Sequence, residues 1–444
     1  MSSVLIKNAQ IVNEGKVVAA DLRVKGQRID LIASEISALP DDDVIDASGC
    51  YLLPGMIDDQ VHFREPGLTH KGSIATESRA AVAGGITSYM EMPNVKPSTT
   101  TIDALEKKYE IAANHSLANY AFYLGATEDN LEQIKQLNPQ RHSGVKVFMG
   151  ASTGDLLVEH PEALEAIFRD SPSLIVTHCE SGAVINENRQ RILPSKQALS
   201  IEDHPKVRDT EACYASSSYA VDLAKRHASQ LHVLHITTEK ELSLFEPGPV
   251  ESKKITAEAC VHHLWFSDQD YARLGNLIKC NPAIKSSRDR DALIHALHTN
   301  QIDIIATDHA PHTLAEKQVD YEQAPAGLPL VQHALLSLME HVAQGRLSIT
   351  QVVEKTAHNP ALRYAVAERG FIREGYYADL VLIDSQSSTT VTHENSLYYC
   401  GWTPFAGQVF SSHIKSTWVN GQQVFEGGRI VCDKPSGMPL VFNR

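Results

Sequence analysis

Short apolar runs recur along the middle of the chain, and longer segments with helical spacing separate them. Eight runs are candidate strands: 56–62, 86–92, 120–124, 145–148, 174–177, 231–235, 255–259 and 302–307. Between them, segments such as 75–83, 102–113 and 210–227 have the spacing of helices. Eight β/α repeats in about 300 residues predict a TIM-type (β/α)8 barrel. A doubly wound open sheet is the alternative, but no Gly-x-Gly-x-x-Gly follows the first strand.

The two ends of the chain have a different pattern. Residues 1–52 contain β-branched runs separated by turn signals such as Asn13-Glu14-Gly15, which predict hairpins. Residues 372–444 are similar, with Asn420-Gly421 as a turn between two apolar runs. We therefore predict that residues 1–52 and 372–444 pair into one small β-sandwich domain, while residues 53–371 form the barrel.

Composition and charge narrow the classes of function. The 444 residues are 43% hydrophobic, which supports a large core, and the net charge is −14. We expect no general attraction to nucleic acid or to an anionic membrane, and no apolar run is long enough to span one. Seven scattered cysteines without a Cys-x-x-Cys pair indicate reduced thiols in a cytoplasmic protein. A small-molecule substrate is expected, and a homo-oligomer is left open.

Polar side chains follow apolar runs on at least five of the predicted strands. They are His62 and Arg64 (strand 1), Asn94 (2), Lys146 (4), His178 (5), His235 (6), and Asp308 with His312 (8). The active groups of a barrel lie at the carboxyl ends of its strands, so we expect one shared cleft. Several imidazoles at equivalent places are hard to explain as core residues, because buried imidazoles need polar partners.

Several motifs together resemble one family. They are Arg64-Glu65-Pro66-Gly67, Met92-Pro93-Asn94, Asn281-Pro282, Asp308-His309-Ala310-Pro311-His312, His358-Asn359-Pro360-Ala361 and Gly375-Tyr376-Tyr377-Ala378-Asp379-Leu380. This pattern resembles the amidohydrolase superfamily and, within it, the longer, type I dihydroorotases, over nearly the whole chain. The resemblance implies reversible cyclisation of N-carbamoyl-L-aspartate to L-dihydroorotate in pyrimidine (UMP) synthesis.

The chemistry of opening a cyclic amide suits a metal site. Zn²⁺ lowers the pKa of bound water from roughly 15.7 to about 7 and polarises a carbonyl. His178 and His235 are suitable neutral ligands, and His62 joins them. Asp308 can bind metal, take the proton of the attacking water and pass it to the leaving nitrogen. The adjacent His262-His263 pair diverges in direction, and we interpret it as structural or as support for the ligands.

Two residues decide how many metals are expected. Lys146 lies in a Lys-x-Phe-Met motif that resembles relatives in which a lysine carbamate bridges two metals. We favour a carbamylated Lys146 over an ion pair with Asp155 or Glu180. Gln60 stands where a His-x-His pair ending at His62 would have its first histidine, and a carboxamide is a poorer zinc ligand. We therefore predict one well-occupied metal and a second, weaker site with Gln60 as a weak ligand.

Substrate binding needs separate groups. The planar guanidinium of Arg64 matches the α-carboxylate of carbamoyl aspartate or dihydroorotate. The resemblance implies that Asn94 and His312 add donors and that Asn281 contacts the pyrimidine ring. Residues 313–330 follow directly, polar and then Pro/Gly-rich, and are a candidate mobile lid, with a plain surface connection as the alternative.

Three alternative functions are weighed against this one. An allantoinase or a dihydropyrimidinase would have a similar metal site, but dihydropyrimidinase substrates have no carboxylate for Arg64 to hold. A catalytically impaired dihydroorotase-like partner protein is favoured only by Gln60. A barrel hydrolase acting on phosphoesters would need a basic cluster that the sequence does not contain.

Overall fold

The N-terminal part of the protein is built from antiparallel strands. The computed structural model describes residues 3–150 and 156–444. Its first strands are β1 Ser3–Asn13, β2 Lys16–Lys25, β3 Arg28–Ala33, β4 Asp42–Asp46 and β5 Cys50–Pro54. Antiparallel pairing joins β1 to β2 and β2 to β3, as the turn signals predict. Gly15 and Gly26 adopt positive φ in these two turns, where an L side chain would be strained.

Eight strands follow and form the barrel. They are β6 Met56–Val61, β7 Ile86–Glu91, β8 Asn119–Gly125, β9 Gly144–Gly150, β10 Ile175–Glu180, β11 Leu231–Val233, β12 Ile255–Cys260 and β13 Ile304–Ala306. Each pairs in parallel with the next one along the chain. The backbone N–H of His62 donates to the carbonyl of His309 at 2.7 Å, which joins the last strand to the first. All eight overlap predicted strands, and the predicted barrel is confirmed.

Helices connect and surround the strands. They are α1 Ile74–Ala83, α2 Ile102–His115, α3 Leu131–Ile134, α4 Pro161–Asp170, α5 Gly182–Ile192, α6 His204–Val207, α7 Thr210–His227, α8 Val261–Trp265, α9 Tyr271–Leu274, α10 Ser287–His298, α11 Leu314–Lys317, α12 Ala334–Ala343, α13 Ile349–Val353 and α14 Asn359–Tyr364. A π-helical turn, Glu354–His358, connects α13 to α14. The three predicted helices are present because local signals define their starts: the Ser73 and Asp209 side chains cap α1 and α7.

The C-terminal strands complete a second sheet with the N-terminal ones. They are β14 Leu380–Asp384, β15 Thr389–Thr390, β16 Val409–Phe410, β17 His413–Val419, β18 Gln422–Glu426 and β19 Arg429–Ile430. The order across this sheet is β19-β18-β17-β14-β5-β1-β2-β3, with β4 beside β1, while β15 and β16 pair separately. The antiparallel β5–β14 pair joins the two ends of the chain. A core of its own, including Leu22, Leu382 and Trp418, supports this sheet.

The last residues of the chain return to the barrel. Leu440 N donates to Tyr120 O at 2.8 Å, and Phe442 pairs with Val366. Strand β5 crosses residue 52, the predicted limit of the N-terminal segment, so the division into two domains stays a prediction. Among the described residues, no helix combines the length and the apolar character needed to cross a membrane.

Candidate active site

A cavity of about 1010 Å³ lies at the carboxyl ends of the barrel strands. The ten residues predicted for the site all line it: Gln60, His62, Arg64, Asn94, Lys146, His178, His235, Asn281, Asp308 and His312. They come from seven separated segments of sequence. The closed barrel brings them together, because parallel strands end at the same edge of the sheet.

Three of these residues have a strained backbone. Arg64, His235 and Asp308 adopt φ values of 72°, 39° and 50°, in the left-handed region that side chains with a Cβ rarely occupy. Each lies within three residues after the end of a barrel strand. Such conformations cost of order 1–3 kcal/mol each and persist only where the surrounding structure enforces them, as at functional sites.

His178 and His235 present neutral nitrogen atoms to one another. His178 Nδ1 lies 3.0 Å from His235 Nε2, and His178 Nε2 lies 3.1 Å from Glu180 Oε2. Burial opposes the ionisation of Glu180, but Arg208 and His178 together outweigh it and lower the pKa of Glu180 to about 2. The carboxylate can only accept, so Nε2 of His178 carries the proton and Nδ1 keeps its lone pair. Burial lowers the pKa of both imidazoles, which keeps them neutral.

His62 and Gln60 both contact Asp308. His62 Nε2 lies 3.0 Å from Asp308 Oδ1, and its Nδ1 lies 2.7 Å from Asn94 Oδ1. Gln60 Nε2 donates to the same oxygen of Asp308 at 3.1 Å, while Gln60 Oε1 faces the Cys260 thiol at 3.7 Å. Burial alone would raise the pKa of Asp308, but the hydrogen bond and charge of His62, together with the charges of His262 and Lys146, outweigh it and the pKa is lowered. The amide of Gln60 is thus engaged on both sides.

Two cavity residues keep polar atoms without a hydrogen-bond partner among the described residues. Lys146 is 1% exposed, and its ammonium lies 4.6 Å from the centre of the Phe148 ring, with no acceptor from the described part of the chain. Burial lowers its pKa to about 8. Asn281 Oδ1 is likewise buried and unpaired. Of the two ion-pair partners considered for Lys146, Glu180 does not contact it, and Asp155 lies outside the described residues.

Cationic groups line another part of the cavity. Arg64 Nε donates to Pro311 O at 3.0 Å, and Arg64 Nη2 lies 3.0 Å from His312 Nε2. Burial lowers the pKa of Arg64 to about 10, which leaves it charged at neutral pH. Lys71 was missed from the sequence: its Nζ lies 2.9 Å from His312 Nδ1 and 3.0 Å from Glu316 Oε1. Its position seven residues after Arg64 was the only available signal.

Backbone contacts hold the predicted lid segment, residues 313–330. The buried ammonium of Lys317 donates to the carbonyls of Lys279, Pro325 and Gly327 at 3.1, 2.9 and 3.0 Å. Lys279 in turn donates to the carbonyls of Tyr321 and Ala324, each at 2.6 Å. These bonds tie the segment to the barrel, and its opening as a lid stays a prediction.

Two buried groups of potential metal ligands lie outside the predicted set. The sequence did not indicate the first: His232 Nε2 lies 3.2 Å from Asp59 and 3.5 Å from Glu258. Burial would lower the pKa of His232, but the two carboxylates outweigh it and raise it to about 9. Burial and the Asp59 carboxylate also raise the pKa of Glu258, to about 7. An imidazolium held between Asp59 and Glu258 accounts for this group. The second group is Cys260, His262 and His263. The predicted divergence of His262 and His263 is wrong, because their ring centres lie 3.9 Å apart and their nitrogens face the same small volume as the Cys260 thiol. Neither histidine lines the cavity, so the pair lies outside the predicted site.

Comparison with known proteins places the chain in a family. The sequence pattern of the amidohydrolase family matches residues 51–424. A curated dihydroorotase from Halobacterium salinarum is 34% identical, with 95% of this chain and 96% of the relative covered. A dihydroorotase from Bacillus subtilis is 31% identical, with 97% and 100% covered.

Solved structures give the same fold. An L-hydantoinase (dihydropyrimidinase) from Arthrobacter aurescens superposes with a TM-score of 0.93 at 25% identity, with 99% of this chain and 100% of that chain covered. A dihydropyrimidinase from Brevibacillus agri superposes with a TM-score of 0.89 at 23% identity, with both chains fully covered, and shows the fold alone. The chain therefore belongs to the amidohydrolase family, as a metal-dependent cyclic amide hydrolase related to the dihydroorotases.

Proposed function

We propose that this chain is a dihydroorotase, which interconverts N-carbamoyl-L-aspartate and L-dihydroorotate in the de novo synthesis of UMP. The relatives from Halobacterium and Bacillus carry that name. The observation that carries the proposal is the buried Arg64 guanidinium beside His312, in the cavity that also holds Asp308. A guanidinium binds a planar carboxylate in a bidentate manner. Both substrates have this carboxylate, and an uncharged dihydropyrimidine ring has none.

The donor set of the cavity fits a divalent metal. Neutral imidazole nitrogens from His178 and His235 converge, and imidazole is a common ligand of Zn²⁺. With carbamylated Lys146 they would hold one ion, and His62 with Asp308 would hold a second, weaker one. A bound ion activates a water molecule and polarises the amide carbonyl. Gln60 adds little to the weaker site, because its amide is already bonded to Asp308 and Cys260.

The surroundings of Lys146 favour its carbamylation. A buried ammonium without an acceptor is costly, and burial favours its neutral amine. The amine nitrogen attacks the carbon of CO₂, one proton leaves to solvent, and the product is a carbamate with an anionic oxygen. An NMR carbonyl signal from protein equilibrated with ¹³C-labelled CO₂, present in the wild type and lost in Lys146→Met, tests this step. Absence of that signal in metal-loaded wild type contradicts it.

Asp308 supplies the proton transfer. Its lowered pKa keeps the carboxylate ionised at neutral pH, so it can accept the proton of the attacking water. It then returns that proton to the leaving ring nitrogen as the amide bond breaks. In the direction of ring closure, the same carboxylate takes the proton from the ureido nitrogen. The bonds from His62 and Gln60 orient the carboxylate for both steps.

The remaining cavity residues orient the substrate. Arg64 and His312 donate to the α-carboxylate, and Asn94 donates from its amide nitrogen, because its oxygen already faces His62. Asn281 Oδ1 is a buried acceptor with no partner in the described ranges of the chain, which suits an N–H of the dihydropyrimidine ring. Positioning the ring between these groups and Asp308 lowers the entropic part of the barrier.

A substrate panel tests this function. Purified metal-loaded protein is assayed with L-dihydroorotate, dihydrouracil, hydantoin and allantoin. We expect dihydroorotate to have the highest kcat/KM by at least about 100-fold, because only it offers a charge to Arg64. A preference for dihydrouracil or hydantoin would instead establish the second candidate, a dihydropyrimidinase, which the structural likeness to the Arthrobacter enzyme favours.

An impaired partner protein is the remaining alternative, and Gln60 is the residue that favours it. The cavity argues against it, because the other predicted metal-binding residues face it together. Protein that binds no metal and turns over none of the panel would establish this alternative. We further propose a cytoplasmic location, which the seven free thiols suit, and leave the homo-oligomer as a prediction.

A further inference from the structure

Lys71 restricts the protonation of His312. Its Nζ lies 2.9 Å from His312 Nδ1. An ammonium has three donors and no acceptor, so Nδ1 must accept this bond and cannot carry a proton. Burial and the charges of Arg64 and Lys71 lower the pKa of His312 well below its usual value, so the ring is neutral. Its single proton is therefore on Nε2.

This protonation leaves two donors facing one another. His312 Nε2 lies 3.0 Å from the carbonyl oxygen of Ala326, to which it donates. It also lies 3.0 Å from Arg64 Nη2, which is itself only a donor. No hydrogen bond forms between two donors, so the Nη2 hydrogens of Arg64 are not consumed by His312. An anionic oxygen placed between the two groups would accept from Arg64 Nη2 and share the Nε2 hydrogen of His312 with the carbonyl of Ala326.

The other tautomer would let Arg64 and His312 bond to one another. With the proton on Nδ1, His312 Nε2 would accept from Arg64 Nη2. That bond would use one donor of the guanidinium and leave His312 with no Nε2–H for an incoming carboxylate or for the carbonyl of Ala326. With the proton on Nε2, Arg64 and His312 both present a donor to the substrate. With the proton on Nδ1, they bond to one another instead.

We propose that Lys71 is a positioning residue for substrate: it holds His312 in the Nε2–H tautomer, so that Arg64 and His312 act together as a double donor for the substrate carboxylate. This inference rests on the proposed function for the identity of the carboxylate. Lys71 is suited to the role because Glu316 fixes its ammonium from the other side, at 3.0 Å. Glu316 is itself held by the N–H and hydroxyl of Thr313, at 2.9 and 3.0 Å.

Steady-state kinetics with L-dihydroorotate test the proposal. Lys71→Met should raise KM by about 10-fold or more and leave kcat within about 3-fold, since the lost contact acts on binding. Lys71→Arg, which also can only donate, should restore most of the affinity. The matched control is Lys96→Met, which removes a lysine that lines the same cavity without contacting His312. An equal rise in KM for Lys96→Met, or an unchanged KM for Lys71→Met, would overturn the proposal.

The tautomer can also be observed without turnover. Selectively ¹⁵N-labelled histidine gives long-range ¹H–¹⁵N spectra that distinguish Nδ1–H from Nε2–H, and the loss of one signal set in His312→Gln assigns His312. We expect Nε2–H in the wild type and in Lys71→Arg, and a mixture or Nδ1–H in Lys71→Met. An Nδ1–H tautomer in the wild type refutes the inference. This measurement stands even if wild-type protein fails to hydrolyse dihydroorotate, an outcome that refutes the proposed function instead.

Discussion

Replacement of Arg64 by Met gives the sharpest test of the carboxylate site. Arg64 is 6% exposed, and it is charged at neutral pH. A hydrogen bond to a charged group contributes about 1.5–3 kcal/mol, and a bidentate carboxylate makes two. In Arg64→Met, water that enters the open cavity solvates the substrate carboxylate and compensates for part of these lost hydrogen bonds. The remaining loss is about 2–4 kcal/mol in the free energy of binding. That loss corresponds to about 30- to 1,000-fold in kcat/KM.

The loss should lie in KM, because the carboxylate does not react and contacts Arg64 equally before and during ring opening. The assay follows the ultraviolet absorbance of the dihydroorotate ring as it opens, with dihydrouracil as the uncharged comparison. Thermal unfolding checks the fold, since the variant also loses the Arg64–Pro311 hydrogen bond. Arg64→Lys keeps the charge without the planar pair of donors, so its KM for dihydroorotate should lie between those of the wild type and Arg64→Met. A KM for dihydroorotate within about 3-fold of wild type in Arg64→Met would refute this account of substrate binding.

Three further predictions follow from other parts of the structure. Asp308→Asn should lower kcat by about 100- to 10,000-fold with unchanged thermal unfolding, and near-normal turnover would remove the proposed proton transfer. Metal analysis should find about one Zn²⁺ per chain, and Gln60→His should raise the occupancy of the weaker site; two full equivalents in the wild type would contradict the role given to Gln60. Burial opposes ionisation of Asp203, but the bond from Lys196 outweighs it, with others, and the pKa is lowered to about 2. Its contribution to stability should be present above about pH 4 and lost as pH falls toward 2. Asp203→Asn should flatten that part of the stability curve, and an identical acid slope would exclude the contribution.

The fold was predictable because its signals are local. The eight apolar runs are buried on both faces of parallel strands, so they stand out from the helical segments between them. Capping residues such as Ser73 and Asp209 define where helices begin without reference to the rest of the chain. The candidate site was predictable for a related reason: in a barrel, polar residues at the carboxyl ends of the strands all lie at the same face. His62, His178 and Asp308 could therefore be grouped before their distances were known.

Features that depend on two distant segments could not be predicted. Lys71 is an ordinary loop lysine in the sequence, and only the barrel brings it to His312, which is 241 residues away. The buried group of Asp59, His232 and Glu258 likewise joins three strands, and in the sequence these residues lie inside the strands, where no motif marks them.

The sequence by itself determined which residues can hold a metal, move a proton and bind a carboxylate, since those properties belong to side-chain types and to their places at strand ends. Tertiary structure decided which atom of each side chain is free to act. Gln60 shows the difference: the sequence marks it as a poor ligand in the place of a histidine, whereas packing turns its amide nitrogen to Asp308 and its oxygen to Cys260. The physical reason is that hydrogen bonds are directional and short, so the partner of a donor is set by the three-dimensional arrangement around it.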